Sequence, residues 1–274
     1  MYLWYLFAKD KKKKSDDKEF SHFFDKNICC YDKRIITLHP KMDYMDMNEV
    51  NTSEAKGMMK DSILILSGGM DSVTMLYDYQ ERIALALSFD YGSNHNAKEI
   101  PFARLHCERL GIEHITIPLA FMGQYFSSSL LQGSDSIPEG HYADENMRST
   151  VVPFRNGIML SVAVDMAESR GLKHVMMANH GGDHTIYPDC RPEFVEAFSE
   201  AARTGTYPGI TLLSPYTNLT KGQIAAKGKS LGIDYAETWS CYKGGEKHCG
   251  RCGTCVERKE ALAYAGIPDP TVYE

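Results

Sequence analysis

Ser67-Gly68-Gly69-Met70-Asp71-Ser72 lies between a short apolar run, Ser62-Ile-Leu-Ile-Leu66, and a breaker-free segment carrying Val73, Leu76 and Tyr77. An aliphatic, β-branched run of that length reads as a buried strand, and the segment after the glycines reads as the first turns of a helix. A strand, a glycine-rich turn and a helix N-terminus in succession make an anion site. The glycines let backbone N–H groups approach a ligand, and the helix end adds unpaired donors and partial positive charge. The turn lacks the lysine of a GxxxxGK phosphate loop, so its chemistry rests on backbone donors. Leu66, Ser67, Gly68, Gly69, Met70, Asp71, Ser72, Val73 and Thr74 are the residues expected around the anion. Asp71 would repel a phosphate, so it is expected either to hold a cation or to cap the helix.

A second chemical signal lies near the other end. Cys241, Cys249, Cys252 and Cys255 follow the spacing C-x7-C-x2-C-x2-C. Thiolates two residues apart reach one ion from a tight turn, and Gly250 and Gly253 supply turn freedom. Four cysteines leave no open coordination position, which points to a closed, structural site. One Zn2+ per chain is the first expectation, and a four-iron four-sulfur cluster takes the same ligand count. Disulfides are disfavoured, because nothing in the chain suggests export and two tight C-x2-C steps pair awkwardly. His248 is expected outside the ligand set, and Cys107 in a core.

The elements that must position these groups alternate along the chain. Ile83–Phe89 reads as a second strand, followed by a helix from about Ala97 to Leu110 that Gly111 stops. His114–Ile117 is a third strand, and Phe154–Arg170 a helix closed by Gly171. His174–Ala178 is a fourth strand, Pro192–Arg203 a helix with proline at its start, Thr211–Leu213 a short strand, and Thr220 caps a helix reaching Leu231. Strands alternating with helices imply an α/β doubly wound parallel sheet with both faces covered. Ligands of such sheets sit at the carboxyl ends of the strands, where the Ser67–Ser72 turn falls. Residues 132–152 read as a long loop and a candidate lid.

The chain of 274 residues is 43% hydrophobic, enough for one sizeable domain with appendages. Its charge is uneven: residues 1–60 carry 12 Lys and Arg against 10 Asp and Glu, and the remainder 18 against 26. An acidic body argues against a grip on a phosphate backbone, so no nucleic-acid partner is expected. Met1–Phe7 is apolar but too short to span a bilayer, so no membrane partner and a cytoplasmic location are expected. Three regions follow. Residues 1–60 are expected to be a poorly ordered extension holding the Lys11–Lys14 run and Cys29-Cys30, with the functional protein starting near Met58. Residues 61–235 are expected to form the α/β domain that carries the anion turn, and residues 236–274 the cysteine segment.

Further motifs stand in a fixed order: Asp90-Tyr91-Gly92 with His95 and Glu99, then Val152-Pro153-x-Arg155-Asn156. After them come Tyr187-Pro-Asp-Cys-Arg191-Pro-Glu-Phe194, Ser214-Pro, Leu219-Thr-Lys221, Thr238-Trp-Ser-Cys241-Tyr and His248-Cys-Gly-x-Cys-x-x-Cys255-x-x-Arg258. From Ser62 onward the series resembles the 7-cyano-7-deazaguanine synthase family of queuosine biosynthesis, within the N-type ATP pyrophosphatases of adenine nucleotide alpha hydrolase-like fold. The glycine loop alone is shared with GMP synthetase, NAD synthetase and tRNA-modifying relatives; the YPDCRPEF segment with the four-cysteine tail is far more specific. Two positions depart from the family pattern: Ser93-Asn94 where Gln-Arg usually precedes the histidine, and Phe154 where glycine commonly follows Val-Pro.

The resemblance implies an ATP-dependent carbon–nitrogen ligase that joins 7-carboxy-7-deazaguanine and ammonia, adenylating the carboxylate and then the amide, with ATP and Mg2+ and as a homodimer. It implies that Asp90 and Tyr91 hold adenine and ribose, against an ordinary strand-ending turn. Arg155 and Asn156 open a helix, where Arg155 is expected to bind phosphate or the substrate carboxylate. One of Asp183, Asp189 and Arg191 is expected at the guanine-like edge, with helix capping the alternative for Asp189. Lys221 is expected either at a phosphate or in solvent, and His95 with Glu99 either a proton-handling pair or an exposed contact. The expected catalytic set is Asp71, Arg155, Asp183 and Lys221. The rival is a tRNA-modifying enzyme of thiolation or lysidine type, which should show a basic face. An amidotransferase would need an ammonia-producing domain, for which no chain length remains.

Overall fold

The computed structural model describes residues 60–133, 137–141 and 145–274. Apart from Lys60, the extension expected over residues 1–60 lies outside them. Five strands, β1 (Ser62–Ile65), β2 (Ile83–Asp90), β3 (Glu113–Pro118), β4 (His174–Met176) and β5 (Thr211–Leu213), form one sheet in the order β3-β2-β1-β4-β5. All four pairings are parallel. The sequence accounts for this: both faces of the central strands are apolar. Ile63, Leu85, Leu87 and Val175 point into one core, and Leu64, Ala86 and Met176 into the other.

Seven helices connect and cover the described strands: α1 (Met70–Asp78), α2 (Asn96–Leu110), α3 (Ala120–Tyr125), α4 (Arg155–Arg170), α5 (Pro192–Gly205), α6 (Lys221–Ser230) and α7 (Gly253–Tyr264). Helices α1, α2 and α6 contribute to the core around Leu64, and α4 to the core around Ile63. The strand order reverses between β1 and β4, so the crevice of a doubly wound sheet opens at their carboxyl ends, beside the Ser67–Ser72 turn.

Two helices escape the sequence reading. Helix α3 is only six residues long. Helix α7 starts inside the cysteine segment, whose glycines mask its pattern, yet Ala261 and Leu262 pack with Met70, Ala225 and Tyr235. The described parts of residues 132–152 are tethered: Gly140 N–H donates to the Arg251 carbonyl, and Thr150 Oγ1 lies 2.8 Å from Tyr187 Oη. Among the described residues Phe154 is the one non-glycine residue with a left-handed backbone, φ +52°, which explains why glycine suits this position. The strain of about 1 kcal/mol is offset by the ring, which lies over Gly157 and meets Phe194 edge-on at 5.8 Å.

Helices α1 and α6 approach closely because Gly228 leaves room for the Tyr235 hydroxyl, which lies 2.8 Å from Thr74 Oγ1. In an open helix interior Gly→Ala stabilises by about 1 kcal/mol. Here an added Cβ overlaps the Tyr235 hydroxyl, and overpacking of this kind costs about 1–3 kcal/mol. Gly228→Ala is therefore expected to lower the melting temperature; an unchanged or higher value by calorimetry would contradict the packing described.

Candidate active site

A cavity of about 220 Å³ opens at the glycine turn. Ser67, Gly69, Met70 and Asp71 form one wall; Tyr91, His95 and Glu99 a second; Arg155, Asn156 and Met159 a third. Asp183, Lys221, Trp239, Ser240, Tyr242 and Thr254 complete it. The turn is preorganised by its own serines. Ser72 Oγ accepts the N–H groups of Ser67 (3.2 Å) and Gly68 (3.4 Å), and Ser67 Oγ accepts that of Gly69 (3.1 Å). Gly68 has φ +100°, and a Cβ there would overlap the Glu99 carbonyl oxygen, so helix α2 rests directly on the turn. From the other side Trp239 N–H donates to the Gly68 carbonyl at 3.1 Å. No side chain caps α1, so its first-turn N–H groups face the cavity as an anion site.

Asp71 thus does not cap its helix. Its Oδ2 lies 3.1 Å from Lys221 Nζ, which also meets Glu257 Oε2 at 2.8 Å. His180 Nε2 sits within 3.7–3.9 Å of Asp71, Asp183 and Glu257. Burial alone would push Lys221 toward neutrality, but Asp71 and Glu257 reverse the shift and hold the ammonium charged. Burial raises the Glu257 carboxyl. Asp71 Oδ1 is buried without a hydrogen-bond partner, and an orphaned carboxylate oxygen beside an anion site fits a hard divalent cation. This cluster answers where Lys221 lies: it is not solvated.

Across the cavity, His95 Nε2 lies 3.7 Å from Glu99 Oε2 and 3.4 Å from the Tyr91 hydroxyl, to which Arg155 donates at 3.2 Å. Burial lifts Glu99 to about 8 against the opposing fields of Arg155 and Lys221. Burial, then Arg155, lowers His95 to about 4. At pH 7 the pair is two neutral groups rather than an ion pair, and with His95 buried and Glu99 largely so it is not the exposed contact that i,i+4 spacing permits.

Of the remaining expected site residues, Leu66 also lines the cavity and the others do not. Gly68 and Ser72 shape the turn from within. Val73 packs with Leu64, and Thr74 Oγ1 donates to the Met70 carbonyl. Asp90 is exposed and accepts Gly92 N–H in a strand-ending turn. Asp189 Oδ2 accepts Asn156 N–H at 2.8 Å, capping α4 rather than its own helix. Arg191 Nε donates to the His184 carbonyl. Sequence reasoning missed His180 and Glu257, which stand in no phosphate-loop pattern, and the wall formed by Trp239, Ser240, Tyr242 and Thr254. The signal for that wall was the Thr-Trp-Ser-Cys-Tyr string, read as a family motif and for its cysteine but not as a cavity wall.

The Sγ atoms of Cys241, Cys249, Cys252 and Cys255 all lie within 4.8 Å of one another and are buried. A tetrahedron of ~2.3 Å metal–sulfur bonds places sulfurs ~3.8 Å apart, whereas a cubane cluster inserts irons and sulfides between them and spreads them further. The set therefore fits one ion. Backbone N–H groups of Cys249 and Cys252 donate to the sulfurs of Cys241 and Cys249 at 3.3 Å each, which favours thiolates. His248 stays outside: its Nε2 accepts Ser240 N–H, and its ring stacks on Trp239 at 4.1 Å. The cysteines lie in the same core as β1 and α4. Arg258, fully buried, ties α7 to Thr238 and Ser240.

The family model for "Queuosine biosynthesis protein QueC" matches residues 61–266. The 7-cyano-7-deazaguanine synthase of Porphyromonas gingivalis is 66% identical over 215 residues, covering 78% of this chain and 98% of that protein. The synthase of Desulfotalea psychrophila is 52% identical over 217 residues, covering 78% and 99%. Among solved structures, NMN synthetase from Francisella tularensis gives a TM-score of 0.44 at 15% identity, covering 77% of this chain and 79% of that one. The family model over residues 61–266 and the identity to the two synthases show the family: the chain belongs to that of the queuosine biosynthesis protein QueC.

Proposed function

We propose that this chain is a 7-cyano-7-deazaguanine synthase, an ATP-dependent ligase that converts 7-carboxy-7-deazaguanine and ammonia to the nitrile. The observation that carries this reading is a backbone anion turn, capped by no side chain and lining one cavity with Arg155, Lys221 and Asp183, in a chain two-thirds identical to such a synthase. A carboxylate is a poor acyl donor; adenylation gives ammonia a displaceable leaving group, and a second adenylation activates the amide for dehydration. The turn and the start of α1 would bind the departing pyrophosphate through N–H donors, and Lys221 would neutralise it. Asp71 would hold Mg2+, whose charge screens the phosphates from that carboxylate. Arg155 and Asn156 would engage the substrate carboxylate, and Asp183 the amino and ring N–H edge, with Asp189 and Arg191 shaping that end from behind. Tyr91 would face the nucleotide.

The four thiolates would hold one Zn2+ per chain with no open position, so its contribution is to fix the Cys241–Cys255 segment as cavity wall. Among the described residues no helix is long and apolar enough to cross a membrane. We read the protein as a cytoplasmic homodimer acting on small molecules without a nucleic-acid partner, which light scattering and a tRNA-binding assay check. Residues 61–235 and 236–274 act as nucleotide domain and metal segment, and a chain starting at Met58 is expected to be active.

Purified protein with the carboxy-deazaguanine, ammonium and Mg-ATP is expected to yield the nitrile by mass spectrometry; ATP consumption without amide or nitrile would overturn the assignment. Asp71→Asn should lower turnover at least ~100-fold with unchanged circular dichroism. Elemental analysis should find about one zinc per chain, and Cys252→Ser should lower both zinc content and melting temperature. Iron with labile sulfide would contradict the single-ion fit.

A further inference from the structure

Four carboxylates line or abut the cavity, and three of them are engaged. Asp71 and Glu257 grip Lys221, and Asp183 accepts the His180 backbone N–H. Glu99 differs: among the described residues no lysine or arginine lies within ion-pair distance of it. Its carboxyl is largely buried yet opens on the cavity, and its Oε1 lies 3.9 Å from the position a Cβ would take on Gly69. It therefore stands beside the turn that would hold the nucleotide.

Resting on the synthase reading, the reaction needs a proton acceptor. The second half, from O-adenylated amide to nitrile, cannot proceed without one. We propose that Glu99 is the catalytic base of that step. Its carboxylate takes the imidate N–H proton, and the N–H electron pair becomes the third C–N bond. The C–O bond breaks, and AMP leaves with that bonding pair. ATP, consumed in forming the adenylate, supplies the leaving group, so no other reactant is required. The charged and titratable groups facing Glu99 are His95 on its own helix, Tyr91 after β2, Arg155 from α4 and Lys221 from α6. The turn and the Trp239 segment present backbone to this side. Burial makes Glu99 a stronger base than an ordinary carboxylate, well matched to accept a proton near neutrality.

The test supplies the 7-deazaguanine amide directly with Mg-ATP to wild type and Glu99→Gln, and supplies the acid with ammonium in parallel. Glu99→Gln is expected to lose nitrile formation from the amide by at least ~100-fold and to lose far less of the acid-to-amide stage, so that amide accumulates. The wild-type nitrile step should rise with pH up to about 8 and then level. Folding is checked in the same samples. A carboxyl whose folded value is raised loses stability as pH climbs from its unfolded value to about 8. The glutamine isostere escapes that loss and should melt above wild type at pH 9. Nitrile formation by Glu99→Gln at the wild-type rate would overturn the proposal. So would equal loss of both stages together with weakened ATP binding, which marks a positioning residue. Should the variant not fold, a wild-type nitrile rate flat between pH 6.5 and 9 overturns it. Failure of the wild type to make nitrile at all overturns the synthase reading instead.

Discussion

The contact on which the site depends is between two backbones. Gly68 lies so close to the Glu99 carbonyl that no side chain fits between α2 and the turn. That approach has three results. It fixes the turn at φ +100°, a region other residues enter only with strain. It leaves the serine hydroxyls to hold the turn's own N–H groups. And it sets the carboxyl of Glu99, through its own backbone, against the place where phosphates would lie. Charge there would oppose an anion, and burial keeps that carboxyl largely protonated at neutral pH.

The electrostatics of the cavity divide along its length. At one end Lys221 is clamped between Asp71 and Glu257 with His180 behind, one ammonium against two carboxyls. At the other, Arg155, Tyr91, His95 and Glu99 form a chain with one permanent charge, the guanidinium. The cysteine segment closes both ends: Trp239 holds the turn by its N–H, and Ser240, Tyr242 and Thr254 complete the wall.

Much of the fold was legible because the strands are short apolar runs and the helices stop at glycines, signals that act locally. The glycine turn and four cysteines were legible for the same reason, since both need fixed spacings. What stayed hidden needs distance in sequence. His180 and Glu257 have meaning only beside Asp71 and Lys221, and the state of Glu99 depends on burial that no spacing encodes. Asp189 shows a further limit: a helix-capping aspartate was recognisable, but the helix it caps, α4, precedes it in the chain. Phe154 shows the reverse, a departure in sequence that the left-handed backbone explains at once.

The hydrogen bond from Trp239 to Gly68 and the pair Thr74···Tyr235, 161 positions apart, join the first turn of the domain to its last segment. The glycine turn is made well before the residues that latch it, so a polypeptide that stops short of Tyr235 carries the turn without the Trp239 hydrogen bond, the Tyr235 contact or the far wall.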